Sequence, residues 1–145
     1  MWRLYQFPLC PFSRKVRLQL AEKGVAYDLV RELPWEGQDA FLDLNPAGTT
    51  PVMVDDDKGA VLIDSQAICE YFEETTEKMP LISGSPTGRA EIRRLTAWID
   101  QIFYRDVVAP LLEERMKKRL VHRAPPDGGK LREAMRSANT HMDYM

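Results

Sequence analysis

The sequence predicts an α/β unit of order βαβαββα on a mixed four-stranded sheet, followed by an incomplete all-α unit. Strand-like apolar runs alternate with helical periodicity through the first 75 residues. Strand signals vanish after residue 88, and a stretch rich in Pro, Gly and Ser separates the two patterns. The boundaries read as 1–76 for the first unit, 77–87 for a linker and 88–145 for the second.

Trp2 to Phe7 alternates and is rich in aromatic residues, a first strand that Pro8 ends. A helix opens at Pro11, carries Phe12, Val16 and Leu20 on one stripe, and stops at Gly24. Val25 to Arg31 is a second strand, parallel to the first after one crossover helix. Pro34 to Leu44 holds one or two helical turns before the turn Asn45-Pro46-Ala47-Gly48. Thr49 to Val54 and Gly59 to Ile63 form an antiparallel hairpin across a charged turn. Asp64-Ser65 is a helix start ahead of the stripe Ile68, Tyr71 and Phe72, in a helix running to about Thr75.

In the second unit Ile92, Leu95, Ile99 and Ile102 share one face of a long helix that Pro110 is expected to disturb. Leu131, Met135, Ala138 and Met142 repeat the spacing after the turn-rich segment Ala124 to Gly129. That last helix is still running at Met145, so its apolar face calls for a packing partner.

A composition of 44% hydrophobic and 29% charged residues in 145 is that of a globular protein with a packed core. The formal charge of -2, with 20 basic against 22 acidic residues, argues against a general nucleic-acid surface. No uncharged apolar run is long enough for a membrane span and Met1 to Leu4 lacks a signal-peptide layout, so a cytoplasmic location is expected. Two cysteines, Cys10 and Cys69, are too few for a disulfide framework, and no His or Cys pair has metal-ligand spacing, so no metal is expected.

Cys10 stands at a strand-to-helix turn, where first-turn amides without helical partners stabilise a thiolate. The plain alternative is a half-buried cysteine that fills space behind the strand. Cys69, beside Ile68 and Phe72 on the same helix face, reads as a buried structural thiol.

Cys10-Pro11-Phe12-Ser13, Asn45-Pro46-Ala47-Gly48-Thr49-Thr50-Pro51-Val52 and Asp64-Ser65, in that order, resemble the glutathione S-transferase superfamily. The resemblance covers residues 2 to about 75 with specific motifs and residues 88 to 145 more loosely. It implies a thioredoxin-like first domain that binds glutathione, and the start of a helical C-terminal domain. Cys10 matches the reactive thiol of cysteine-type members, which resemble glutaredoxins and omega-like transferases, and Ser13 is the fallback activator in the manner of serine-type members. Pro51 matches a cis-proline that aims the backbone of Thr50 at the tripeptide. Asp64 and Ser65 match the acidic-serine pair that receives the γ-glutamyl end, although the family usually has glutamate where Asp64 stands. Simple helix capping is the alternative role for this pair, and the lack of a reciprocal capping box implies amides free for a ligand.

The family's second domain walls a variable pocket, to which Trp98, Phe103 and Tyr104 are candidates, core packing being the alternative. Arg115 to Arg123 is a basic run with little acidic relief, a solvated surface or a docking face. With Pro125-Pro126-Asp127 and the helix ending Asn139 to Met145, it also resembles a narrower bacterial subgroup that includes a factor binding the tubulin-like division protein FtsZ. Two functions follow from the resemblance. One is glutathione transfer or thiol-disulfide exchange through Cys10, with an unidentified electrophile or disulfide as the second substrate and a homodimer as the assembly. The other is a non-catalytic adaptor that binds a division filament through Lys117, Lys118 and Arg119. Family members usually continue beyond this length, so a further core helix or a second subunit is expected over the late apolar faces.

Overall fold

The computed structural model describes residues 1–144; Met145, the last residue of the final predicted helix, lies outside the described residues. Two compact units, Met1–Ser83 and Gly84–Met145, divide the chain.

In the first unit β1 (Trp2–Gln6), α1 (Pro11–Lys23), β2 (Tyr27–Arg31), α2 (Asp39–Leu44), β3 (Val52–Asp55), β4 (Val61–Ile63) and α3 (Ser65–Thr75) follow in order. The sheet order is β2-β1-β3-β4, with β1 parallel to β2 and antiparallel to β3, and β3 antiparallel to β4. Pro11 occupies the first turn of α1, where its missing N–H costs nothing, and Gly24 at φ 66° closes the helix in the left-handed conformation. Val25 is expected in β2 but donates its N–H to the Leu20 carbonyl at 2.9 Å, so it completes the helix end and the strand starts at Tyr27.

β3 is buried along its whole length, which accounts for its unbroken apolar run. On one face of the sheet Leu4 and Met53 pack with Val16 and Leu20 of α1 and with Ile68, Cys69 and Phe72 of α3. On the other face Val52 and Val54 meet Phe41, flanked by Tyr5 and Leu44. Cys69 is therefore a core side chain, 9% exposed.

One buried ion pair ties this core to the segment after α3. The Lys23 Nζ lies 2.9 Å from Glu73 with its side chain fully enclosed, and it donates to the carbonyls of Thr76 and Met79. Glu73 also accepts the Ile82 amide at 2.8 Å. Burial alone would raise the Glu73 pKa, but the Ile82 amide and the Lys23 ammonium outweigh it and hold the carboxyl below its ordinary range. The first part of the expected linker is thus bound into the first unit.

In the second unit α4 (Pro86–Ala97) starts at Ser85, whose hydroxyl accepts the Gly88 amide at 3.1 Å. The helix does not stop at Pro110. It continues through a wide-turn π segment (Trp98–Val108), α5 (Ala109–Leu112) and a second π segment (Glu113–His122). The winding changes at Ala109, whose N–H reaches back to the Tyr104 carbonyl. Pro110 lies one residue beyond this change of pitch, and the helical run continues past it. Arg123 at φ 50° ends the run, and α6 (Gly128–Tyr144) returns along it.

Two polar links hold α6 in place. Buried Glu114 accepts the Asp127 amide at 2.7 Å and pairs with Lys118 at 2.6 Å, and these contacts hold its pKa below the usual carboxylate range. Trp98 Nε1 donates to His141 Nδ1 at 3.2 Å, which leaves the His141 Nε2 side to Asp106 at 3.3 Å. Trp98 also stacks on Tyr144 and Phe103 sets its edge against His141, so both of these wall candidates pack inside the second unit. No helix among the described residues is long and apolar enough to cross a membrane.

Replacing Lys23 with Met keeps the volume but strands the Glu73 carboxylate, and should cost about 3 kcal/mol in urea unfolding; an unchanged midpoint would show that the pair is not a clamp. Because the folded Glu114 pKa is lowered, its stabilisation is present above the ordinary carboxylate range of about 4 and disappears as pH falls through the folded value. The melting temperature of Glu114→Gln should therefore be lower near neutrality and flatter in acid than that of the parent, as followed by circular dichroism from pH 7 to 3.

Candidate functional site

Three separated stretches arrive at one edge of the sheet because the strand register brings them there. Tyr5 pairs with Val52, and Val52 pairs with Ile63. β1 therefore ends, β3 begins and β4 ends at the same level. The residues just beyond those points are Cys10, Thr50-Pro51 and Asp64-Ser65.

Cys10 caps α1 from an extended conformation. Its N–H donates to the Phe7 carbonyl at 3.0 Å, which closes the turn out of β1. The Sγ accepts the Ser13 amide at 3.5 Å, and the thiol lies 3.5 Å from the Thr50 carbonyl as donor. The sulfur thus sits between a helix start and the loop before β3, half-buried rather than sealed behind the strand. The aligned peptide dipoles of α1 favour negative charge at this position.

Ser13 is 0% exposed, and its Oγ has no hydrogen-bond partner among the described residues. The hydroxyl of the expected fallback activator is thus enclosed in the first unit rather than presented to solvent. Burial follows from the stripe Ser13, Val16, Leu20 and Lys23, which the period of α1 turns toward the sheet.

The Thr50-Pro51 peptide is cis, and both residues are buried. The Asn45 side chain holds this loop by donating to the Thr49 carbonyl at 2.8 Å, while its Oδ1 accepts the Ala47 amide at 3.1 Å. Asn45 is thus a positioning element of the loop, where the sequence pattern shows only a turn.

Asp64 adopts φ 78°, a conformation uncommon for a residue with a side chain and one that collects at ligand-facing turns. Its Oδ1 accepts the amides of Gln66 at 2.7 Å and Ala67 at 3.2 Å. Those two amides, expected to be free for a ligand, are occupied by the cap. Ser65 is buried, 4% exposed, at the start of α3. Lys15 of α1 donates to the Gln66 side chain at 3.3 Å, and Gln66 in turn donates to Glu70 at 3.0 Å, linking the two helix starts. No local pattern announces this link, because 51 residues separate its ends.

The basic run is more neutralised than its composition suggests. Lys118 is committed to buried Glu114, and Lys117 lies 3.7 Å from Glu113. Both acids stand four residues upstream, on the same helix face. Arg119 is exposed without an ion-pair partner among the described residues. No group of three or more His, Cys, Asp and Glu side chains suited to a metal occurs among the described residues.

Residues 4–80 match the family model described as "Glutathione S-transferase, N-terminal domain". The chain belongs to the glutathione S-transferase superfamily. It is 39% identical over 144 residues to "FtsZ-localized protein A" of Caulobacter vibrioides, spanning 98% of this chain and 63% of that protein. A glutathione S-transferase structure from Rhodospirillum rubrum is 42% identical with a TM-score of 0.93, covering 99% of this chain and 64% of that one. A glutathione S-transferase from Methylobacillus flagellatus solved with glutathione bound is 27% identical with a TM-score of 0.76, covering all of this chain and 68% of its own. This member of the superfamily thus spans a little under two thirds of the first two proteins. Its first unit carries the mixed sheet and helix order that the resemblance implies, and its second is helical.

The backbone at Asp64 separates conformation from capping. Both Asp64→Gly and Asp64→Ala remove the carboxylate cap, but Gly accepts the positive φ and should lose only about 0.5 kcal/mol, whereas Ala also strains the turn and should lose about 2 kcal/mol. Equal losses in chemical denaturation would mean that the left-handed conformation is not retained in solution.

Proposed function

We propose that this chain binds glutathione at the shared sheet edge and exchanges it with disulfides through Cys10. The observation that carries the reading is the position of the Cys10 thiol, 3.5 Å from the Thr50 carbonyl at the edge where α1 and α3 begin. The Thr50 backbone supplies a strand-like surface for the peptide portion. Ser65 receives the γ-glutamyl carboxylate, and Asp64 takes its ammonium through the carboxylate oxygen that does not cap α3. The family membership and the glutathione-bound relative support the ligand.

In the exchange, the Cys10 thiolate attacks the glutathione sulfur of a mixed disulfide, forming a Cys10–glutathione disulfide and releasing the substrate thiolate. A second glutathione thiolate then attacks the glutathione sulfur of that bond. Oxidised glutathione leaves and the Cys10 thiolate is restored. A cytoplasmic location and a homodimer belong to the same reading. Conjugation to an electrophile would draw on the α1 amides rather than on the enclosed Ser13.

The similarity to FtsZ-localized protein A favours a second reading, a surface adaptor for an FtsZ-type division filament. Of the three basic residues expected to contact the filament, Arg119 and Lys117 present exposed charge for such contacts, and Lys118 serves the fold.

Glutathione at a hundred times its dissociation constant should stabilise the protein by roughly 2.7 kcal/mol in a thermal shift. Cys10→Ala should retain that shift and lose reduction of a glutathionylated peptide; retained reduction would overturn the role of Cys10. If glutathione produces no shift while Lys117→Glu/Arg119→Glu abolishes binding to purified FtsZ filaments, the adaptor reading replaces the first.

A further inference from the structure

We propose that the groove between the second π segment and α6 is a docking site for an acidic amphipathic helix of a partner protein. It is an open depression of about 420 Å³ lined by Arg115, Leu131, Arg132, Met135, Arg136 and Asn139. Leu131 and Met135 stand one turn apart on α6 and form an apolar ridge, with Met135 55% exposed. Arg132 and Arg136, also one turn apart, form a basic ridge beside it, and Arg115 faces them from the opposite wall.

The groove gathers arginines that no acid among the described residues neutralises, whereas other such arginines of the unit, Arg119 and Arg123 among them, do not line it. Several neighbouring cations are satisfied internally: Lys118 and Lys130 by Glu114, Lys117 by Glu113, Arg105 by Asp106 and Arg94 by Glu91. Arg115, Arg132 and Arg136 have no acidic partner among the described residues, and all three are exposed. Three unpaired guanidinium groups around an apolar ridge complement carboxylates set beside aliphatic side chains. Arginine suits this role because its planar fork binds carboxylates in pairs and its charge persists at every physiological pH.

The repeat of both ridges along one helical face matches a helix that offers apolar residues at intervals of three and four with acids alongside. The groove has no aromatic side chain on which a base could stack, which disfavours single-stranded nucleic acid. The proposal does not depend on glutathione chemistry, since every residue in it belongs to the second unit.

The test uses the full chain and a fluorescein-labelled 16-residue helical peptide with Leu at every third or fourth position and Glu between. Anisotropy should show saturable binding that weakens as salt rises. A Gln-for-Glu version of the peptide should bind at least tenfold more weakly. Arg132→Gln/Arg136→Gln and Met135→Ser should each reduce affinity about tenfold while leaving the circular dichroism melt unchanged. Cys10→Ala should bind as the parent does, which separates this site from the cleft. Absence of peptide binding, equal binding of the Gln peptide, or indifference to the arginine changes would overturn the proposal. So would tighter binding of an oligouridylate than of the peptide, or a dimer on light scattering that dissociates in the arginine variant, because a different occupant would then own the groove.

Discussion

A single register, Tyr5 to Val52 to Ile63, determines where the chemistry of the first unit is placed. Because β3 runs antiparallel to both neighbours, its first residue stands level with the end of β1 on one side and the end of β4 on the other. Three chain segments are then obliged to turn at the same height. The helices that follow β1 and β4 both begin there and run back along the same sheet face. A slip of one residue in β3 would exchange its faces, turning Met53 out of the α1/α3 core and moving Pro51 relative to Cys10.

That arrangement persists because the shared face is filled. Leu4 and Met53 on the sheet, Val16 and Leu20 on α1, and Ile68 and Phe72 on α3 form one cluster. Lys23 and Glu73 close its far end, and the carbonyls of Thr76 and Met79 complete the solvation of the buried ammonium. Burial of a lysine is expensive unless every N–H finds an acceptor. This clamp meets that demand with one carboxylate and two carbonyls, and it thereby folds the segment after α3 against the first unit. The open end of the helix pair carries Cys10; the closed end carries the charge.

Local signals made the first unit legible. Pro11 and Gly24 mark the ends of α1, and the hairpin and the start of α3 follow from turn residues beside short apolar runs. What escaped the sequence depended on long-range or exact helical geometry. The enclosure of Ser13 follows from its phase relative to Val16 and Leu20, which the motif that named it a fallback activator does not express. Pro110 looked like a breaker, and the change of helical pitch beside it is invisible in composition. The basic run looked unrelieved because its neutralising acids, Glu113 and Glu114, precede it by a helical turn, and Asp127 returns to Glu114 only once the chain has reversed.

Asp64 caps α3 with one carboxylate oxygen and leaves the other uncommitted among the described residues. Both amide contacts of its carboxylate fall on Oδ1, so Oδ2 retains its accepting capacity at the exposed edge. A side chain this short reaches the amides of its own first turn, which glutamate, one methylene longer, does less well as an N-cap. The departure from the family's usual glutamate therefore moves part of the carboxylate's work inward. One oxygen anchors α3, and the other keeps its charge and accepting capacity at the exposed edge. A cation held there would meet a carboxylate already oriented by two hydrogen bonds, with little side-chain freedom left to lose on binding.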